Sequence, residues 1–415
     1  MRIRIGRWLK PQTVEDRNVL NFTIDTAWQG LMMGGISAFI SVFVVRLGAS
    51  SFLVSLITSL PALIGVLLSF PIGVYVDRHV NPVRLTNQVR LFHRSGFLLI
   101  ALLPFFVHRH LAEWVVALWA LTAVPGAILN LSWTAAVAEI IPPKRRASVN
   151  GTRWSLLSLV VAISVSVFGF LLERLPFPYG YQIVFTASFV GGIISIYYFG
   201  KLVLPDRSVS PPIKTHQVPW LDRLRDYLRD LGRAPLFIRY LFTTSVLRLA
   251  LNMPSALYSI YWVRELQASD LWIGWQATAN SLALIVGYYL WGRIATRKGH
   301  FPVLMLCTLG LGFYPALMAL ITSKVWLPLL ALINGFFITG IELTFFDTLL
   351  HICPAEKRSG YFALNTVVAN LVIFAAPMLG SVLAERLSIR TVLGVTAGIH
   401  VLAAALFFTR RVDAE

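Results

Sequence analysis

The sequence is poor in charged residues. They make up 13% of its 415 residues, whereas a soluble globular protein carries about 25%. Hydrophobic residues make up 57% and fall into runs of about 20 residues, the length that a membrane-spanning helix needs. The composition therefore excludes an ordinary soluble domain, and the unbroken runs argue against a membrane β-barrel, whose strands alternate apolar and polar residues. We predict an all-α polytopic membrane protein.

Residues typical of catalytic and metal chemistry are also few. The chain has two cysteines, Cys307 and Cys353, and eight histidines, and neither type has the spacing of a metal site or a disulfide framework. The sequence contains no nucleophile–base constellation and no glycine-rich phosphate loop. These absences indicate a protein that is not an enzyme, uses no cofactor or metal and draws no energy from ATP.

The apolar runs predict twelve spans, at 19–45, 51–76, 86–107, 112–138, 148–172, 181–204, 236–262, 270–295, 301–322, 325–350, 358–384 and 389–409. With both termini in the cytoplasm, 26 of the 36 lysines and arginines lie on the inner side and 7 in outer loops. The positive-inside rule favours this orientation in the cell membrane. It also explains the net charge of +17, which in a soluble protein would suggest a nucleic-acid partner.

The spans divide into two sets of six. Residues 1–204 and 236–415 form the predicted halves, and 205–235 form a cytoplasmic linker whose second part, "PWLDRLRDYLRDLG", predicts an amphipathic helix on the inner leaflet or on the protein's own loops. A shift of 219 positions aligns "RLGASSFLVSLI" (46–57) with "ELQASDLWIGWQ" (265–276), and a shift of 212 aligns "EIIPPKRRAS" (139–148) with "HICPAEKRSG" (351–360). Two six-span repeats in the same orientation imply a pseudo-twofold axis along the membrane normal.

A short motif follows span two. The stretch "GVYVDRHVNPVRL" resembles the pattern G-x-x-x-D-R-x-G-[RK]-[RK] of the major facilitator superfamily, with Gly73, Asp77 and Arg78 in place. The second glycine and the basic pair of the pattern are replaced by Val80, Asn81 and Pro82. Six plus six spans, parallel halves and a basic central loop extend this resemblance over nearly the whole chain.

The second half repeats part of the motif in "GRIATRKGH", where Gly292 and Arg297 match and Thr296 replaces the acid. The resemblance implies that Asp77 caps the start of span eleven, because a carboxylate is favourable at the positive end of a helix dipole. It also implies that Arg78 pairs with Glu139, so that both contacts form a gate. The alternative is a static connection between loops.

Polar residues interrupt the spans that line the central cavity in this family, which are spans one, four, seven and ten. Helical spacing places Asp25 and Gln29 on one face of span one, and the repeat places Arg248 and Asn252 at corresponding depth in span seven. We interpret this set as a water-filled path for substrate and ion, because charges at membrane depth are costly: Asp25, Gln29, Asn130, Arg248, Asn252 and Glu342. The alternative is that these groups only join helices.

The arginines within spans and several aromatic residues allow more than one interpretation. Arg248 cannot lose its proton, so it requires Asp25, Glu342 or an anionic substrate as its counter-charge. Arg90 and Arg94 in span three are expected to extend to the membrane surface or to meet Asp77. Four aromatic residues could join the site or simply pack between helices: Trp28, Trp133, Tyr258 and Tyr261.

The sequence therefore predicts a monomeric secondary active transporter of a small molecule, working by alternating access in the lipid bilayer. Because Asp25 and Glu342 can exchange protons, H⁺ is the expected driving ion. An exporter of drugs or lipids on the same fold is an alternative, although the span-four arginine motif of many proton-coupled members and the span-five Gly-Pro motif of drug/proton antiporters are both missing. A non-transporting assembly or sensor protein is the other alternative, against which the polar residues in both halves argue.

Cysteine labelling tests the orientation. A cysteine introduced in the 205–218 loop should react with a membrane-impermeant thiol reagent only from the cytoplasm. One introduced at 108–111 should react only from outside, because the positive-inside rule places that loop there. The opposite labelling pattern would reverse the predicted topology.

Overall fold

The computed structural model describes residues 13–77, 79, 81–141, 143–204, 234–353 and 358–410. Helices and their short connections make up these parts of the chain, and no strand occurs in them. The helices follow one another as spans one to twelve: Val14–Arg46, Ser51–Asp77, Pro82–Phe106, Leu111–Ile140, Pro143–Arg174, Tyr179–Gly200, Pro235–Asn252 with Ser255–Ile260 and Tyr261–Glu265, Asp270–Lys298, His300–Leu320, Leu327–Ile352, Arg358–Arg386 and Ile389–Arg410. The prediction of an all-α chain with twelve spans is confirmed.

Ten of the described helices are long and apolar enough to cross a membrane. Spans seven and eight are the two outside this group. Span seven is interrupted after Asn252, and span eight carries polar residues such as Gln276 and Asn280 in its interior. Both features lower the hydropathy of a continuous stretch, which is the quantity that identifies a span by composition.

The chain divides into two compact units. The first contains Met1–Ile40 and Leu67–Thr215, and the second contains Ser41–Val66 and His216–Glu415, as far as their residues are described. In the first unit, span one packs against spans five and six, and span three against spans four and six. In the second unit, span eight packs on span ten, and spans seven and nine pack on span twelve. Nearly all of the predicted linker, with its amphipathic helix, lies outside the described residues, so this part of the domain prediction stays a prediction.

Span one contains a π-helical turn at Met33–Ser37. A π-turn leaves a backbone group without its normal helical partner. Here the backbone N–H of Ile36 donates to the Ser188 hydroxyl at 3.1 Å, and Ile36 itself is fully buried. The serine thereby satisfies a buried polar group that would otherwise cost free energy.

Span seven breaks next to Pro254, which has no N–H to continue the helix. Span eleven approaches the break closely, because a β carbon at Gly380 would collide with the Met253 carbonyl oxygen. Beyond the break, a second π-turn, Tyr261–Glu265, ends the span. The Tyr261 hydroxyl donates to the Ile321 carbonyl at 2.7 Å, so this aromatic residue serves packing rather than an open site.

Two arginines join Ser41–Val66 to the rest of the second unit. Arg46 pairs with Asp270 at 3.0 Å and donates to the Ala268 carbonyl at 3.1 Å. Arg264 in turn donates to the Ala49 carbonyl. Ala49 and Ala268 are equivalent under the 219-residue repeat, so each repeat offers the same carbonyl to an arginine of the other. We call these contacts the reciprocal clasp.

Exchanging the two charges tests the clasp. Arg46→Asp and Asp270→Arg should each lower the thermal midpoint, because each places like charges beside one another. The double exchange should recover part of the loss, with a coupling free energy of about 0.5–3 kcal/mol. The measurement is thermal unfolding of the purified protein and its variants.

The control pair is His110 and Glu113, whose side chains are 77% and 54% exposed. Exposed pairs contribute little, so the same exchange there should show almost no coupling. Equal coupling in both pairs would mean that the clasp adds nothing beyond an ordinary surface contact.

Candidate functional site

A buried ion pair lies at the centre of the first unit. The Asp25 carboxylate in span one accepts from Arg90 of span three, with Oδ1 at 2.8 Å from Nη1 and Oδ2 at 3.5 Å from Nη2. The Ser195 hydroxyl of span six donates to the same Oδ1. The Asp25 side chain is 0% exposed and that of Arg90 is 2% exposed, so three spans are joined by one carboxylate.

Arg94 lies one helical turn beyond Arg90 and is equally buried. It donates to the Ser195 hydroxyl at 3.1 Å and to the Gly192 carbonyl. A β carbon at Gly192 would lie 2.8 Å from the Arg94 side chain, so this position needs glycine. The Arg90 guanidinium also lies over the Phe199 ring, 4.1 Å from its centroid.

A third arginine of the first unit is held by aromatic rings. The Arg153 guanidinium of span five lies 4.4 Å from the Trp133 ring centroid, 5.1 Å from that of Trp154 and 5.4 Å from that of Phe22. The residue is 6% exposed, and its Nε has no hydrogen-bond partner. It lies within electrostatic reach of Asp25 and Arg90.

These contacts correct two sequence interpretations. Asp25 does not line an open cavity, because it is completely enclosed by its partners. Arg90 and Arg94 do not extend to the membrane surface, because a buried carboxylate and backbone carbonyl attract them inward. The spacing of residues in the sequence does not fix the depth of span three in the membrane or its rotation about its axis. The pairing of Arg90 with Asp25 therefore could not be derived from the sequence.

The second unit contains a carboxylate whose environment differs from the buried ion pair of Asp25. Glu342 in span ten is exposed, and its Oε2 accepts from the Tyr288 hydroxyl of span eight. Among the described residues, no basic side chain lies within ion-pair distance of Glu342. An exposed carboxylate in the interior of a span is too costly to place against lipid. We therefore expect Glu342 to face water.

Arg248 in span seven has a neutral environment. Its guanidinium donates to the Asn365 side chain of span eleven at 3.2 Å and lies 5.1 Å from the Phe345 ring centroid. The Asn252 side chain donates to the Arg248 carbonyl at 2.8 Å. None of the carboxylates in the described parts of the chain pairs with Arg248, so the expected counter-charge on Asp25 or Glu342 is not observed.

The remaining expected cavity residues occupy different environments. Asn130 in span four is exposed. Gln29 in span one is partly buried, and its Oε1 has no hydrogen-bond partner. A further polar pair was not expected from sequence: the Asn334 amide of span ten donates to Asn280 of span eight at 2.8 Å.

The expected gate residues are only partly described. Gly73 lies within span two and Asp77 is its last residue, but the Asp77 side chain and Arg78 lie outside what the structure describes. Glu139 is exposed near the end of span four. In the second half, Gly292 is partly buried and Arg297 is exposed in the last turn of span eight. The gate therefore stays a prediction.

Three partners were missed by the sequence reasoning: Ser195, Tyr288 and Asn365. Serine, tyrosine and asparagine occur widely in membrane spans, so their type carries little signal. Arg153 was counted with the inner-side charges, and only its packing on three aromatic rings distinguishes it from them. Within the described residues, no group of histidine, cysteine, aspartate and glutamate could hold a metal ion.

The sequence matches the profile of the Major Facilitator Superfamily over residues 26–253 and 240–415. The chain belongs to the Major Facilitator Superfamily. It is therefore a multi-pass membrane protein of a transporter family, and the fold and family inferred from its repeats are confirmed.

Two curated relatives match shorter regions. The multidrug resistance protein MdtG of Dickeya zeae (strain Ech586) is 29% identical over 167 residues, which cover 39% of this chain and 40% of that protein. Solute carrier family 22 member 23 of Mus musculus is 32% identical over 98 residues, covering 24% of this chain and 14% of that protein. The chain thus spans less than half of either relative in these matches.

Two solved structures match almost the whole length of this chain. A POT family transporter in complex with a thioalcohol-conjugated peptide has a TM-score of 0.75 at 12% identity, over 96% of this chain and 97% of that one. A bacterial homologue of the human lysosomal transporter Spinster, inward-facing and unoccupied, has a TM-score of 0.66 at 14% identity with the same coverage. At such identities the likeness concerns the fold alone.

Removing the Asp25 charge tests the buried ion pair. Asp25→Asn should destabilise the first unit by about 3–5 kcal/mol, because it leaves the Arg90 charge buried without its partner. Asp25→Asn combined with Arg90→Gln should restore much of this loss. Thermal unfolding of the detergent-purified variants measures both effects.

Glu342→Gln is the control, since it removes an exposed carboxylate with no cationic partner among the described residues. It should change the thermal midpoint little. A loss in Asp25→Asn no larger than in Glu342→Gln would contradict the role assigned to the ion pair.

Proposed function

We propose that this protein is a proton-coupled secondary transporter that moves a small molecule across the cell membrane by alternating access. Glu342 is the group that takes up and releases the proton. The observation that carries this assignment is the environment of Glu342, which is exposed, hydrogen-bonded to Tyr288 and without a described cationic partner. Both termini are cytoplasmic in this proposal, as the distribution of lysine and arginine favours.

Proton exchange requires that the carboxylate can change its charge at low cost. Glu342 meets this requirement, because its side chain is exposed and because no described cation would be left unpaired when it becomes neutral. The Tyr288 hydroxyl can donate to the carboxylate, and its oxygen can accept from the protonated acid. Tyr288 thus supports both protonation states without moving far.

Asp25 has the opposite properties. Protonating it would leave Arg90 and Arg94 buried without a negative charge, which is strongly unfavourable. It is also enclosed, so a proton would have to pass its own partners to reach it. We therefore assign Asp25 to the stability of the first unit and not to coupling.

The gate belongs to the same proposal. Asp77 and Arg78 follow span two, and Glu139 is exposed near the end of span four. In this proposal Asp77 caps span eleven and Arg78 pairs with Glu139 in one state, and both contacts break in the other. In the second half, Gly292 and Arg297 occupy the equivalent place.

A drug exporter is the main alternative, and the partial match to the multidrug resistance protein MdtG favours it. The charges of the described interior favour a different ligand. Arg248 contacts a neutral asparagine and an aromatic ring. The charges near Arg153 are those of Arg90 and of Asp25, which is already paired. Such surroundings repel a cation, so a cationic drug is the less suitable substrate. A non-transporting protein would have no use for a carboxylate in the interior of span ten that has no cationic partner among the described residues.

Glu342→Gln tests the coupling directly. In liposomes with a pH gradient, the wild-type protein should accumulate a substrate found by thermal-shift screening of metabolites, drugs and lipids. Glu342→Gln should lose accumulation and keep substrate exchange, because exchange needs no net proton movement. Tyr288→Phe should retain accumulation at a reduced rate. Radiolabelled uptake and an internal pH-sensitive dye measure the two processes.

The matched control is Glu113→Gln, which removes an exposed carboxylate in the first turn of span four. This variant should accumulate substrate normally. Normal accumulation by Glu342→Gln would exclude Glu342 as the proton carrier. Absence of substrate-dependent proton flux in the wild-type protein, across the whole screened panel, would contradict proton coupling itself.

A further inference from the structure

Arg153 is a buried cation to which the described residues offer no hydrogen-bond acceptor. Its guanidinium carries five N–H donors. Among the described residues no acceptor bonds to it, and its Nε is buried without a partner. The neighbouring rings of Trp133, Trp154 and Phe22 contact the positive charge but offer no oxygen acceptor. Native proteins rarely leave a buried donor unsatisfied, so the position calls for a ligand or a functional explanation.

The charges around Arg153 do not balance. Three buried arginines of the first unit, Arg90, Arg94 and Arg153, lie near a single carboxylate, Asp25. Asp25 is already bound by Arg90 and Ser195, and Arg94 is bound to oxygens of Ser195 and Gly192. Arginine does not lose its proton in proteins. The cluster therefore holds two positive charges in excess of its described negative charge.

We propose that Arg153 binds an oxyanion group of the transported substrate, a carboxylate or a phosphate. This inference rests on the proposed transport function and names the substrate class that the first unit selects. Arginine is suited to such a group because its planar fork makes two parallel hydrogen bonds to a carboxylate or phosphate. The aromatic rings fix the guanidinium by cation–π contact, so little side-chain freedom is lost when the anion binds.

Two neighbouring residues support a site that opens to ligand. Trp154, whose ring centroid lies 5.1 Å from the Arg153 guanidinium, is 49% exposed, so one of the three rings around this cation reaches the surface of the unit. Asn150, one turn earlier on the same helix face, has a buried Oδ1 without a hydrogen-bond partner. An anion bound at Arg153 with a hydroxyl or amino group beside its charge could donate to this oxygen.

A purely structural role for Arg153 gives a different expectation. A cation held between aromatic rings stabilises helix packing, with or without a ligand. In that case a substitution would lower stability but would not change the response to anions. The decisive measurement is therefore the anion-dependent part of stability, and not the stability of the apo protein.

The test uses the purified full chain in detergent at constant ionic strength. Sodium chloride is replaced stepwise by acetate, benzoate, citrate, inorganic phosphate or glycerol phosphate, and the thermal midpoint is recorded. At least one oxyanion should raise the midpoint of the wild-type protein in a saturable manner. Arg153→Gln and Arg153→Lys should weaken that binding about 10- to 100-fold, the factor expected for lost hydrogen bonds to a charged group. Carboxylates and phosphates form separate arms that identify the preferred group.

Arg174→Gln is the matched control. Arg174 lies on the same span and contacts an aromatic ring, Phe170, at 4.6 Å, but it is exposed. Its removal should leave the oxyanion response unchanged. Tryptophan fluorescence gives a second readout, because an anion at Arg153 should alter Trp133 emission and Trp133→Phe should remove that change.

Some results would overturn the proposal. They are an equal oxyanion response in Arg153→Gln and wild type, or no saturable response to any oxyanion in the series. If Arg153→Gln folds poorly, Arg153→Lys still tests the proposal, because lysine keeps the positive charge but lacks the planar guanidinium that makes two parallel hydrogen bonds. Binding in detergent does not depend on a proton gradient. If no oxyanion binds through Arg153 but proton-driven uptake is intact, only the oxyanion assignment is wrong. If an oxyanion binds through Arg153 but uptake is not driven by protons, only the proton coupling is wrong.

Discussion

The first unit depends on the neutralisation of buried arginines by one aspartate. Spans one, three and six meet where Asp25 accepts from Arg90 and Ser195, and Arg94 continues the same network to the backbone of span six. A charge in a membrane interior almost always has a partner or faces a water-filled cavity. The position of these spans, and the need for glycine at Gly192, follow from making that pairing geometrically possible.

The two units treat their carboxylates differently. Asp25 is enclosed and paired, whereas Glu342 is exposed and hydrogen-bonded to a neutral tyrosine. A carboxylate that pairs with a buried arginine stabilises one arrangement of helices, and in the proposed function Glu342 changes its charge during the transport cycle. Arg153 and Arg248 add fixed positive charge that no described carboxylate offsets apart from Asp25.

The reciprocal clasp connects the internal repeat to the structure. Equivalent carbonyls, those of Ala49 and Ala268, accept from Arg264 and Arg46. The 219-residue repeat aligns the two alanines, but the alignment could not show that each carbonyl accepts from an arginine of the other repeat. The π-turn of span one and the proline break of span seven show how local backbone irregularity is satisfied by neighbouring helices.

The sequence by itself determined the class, the number of spans and the family. Length and continuity of apolar runs are local properties, and the lipid requires every backbone group of a span to bond within its own helix. Only the tertiary structure decided which polar side chains meet. The sequence places Asp25 and Glu342 on spans one and ten, which line the cavity in this family, but it does not give the rotation of the neighbouring helices about their axes. Pairing with Arg90, or with Tyr288, depends on that rotation, because a shift of one residue turns a side chain by about 100° around the helix.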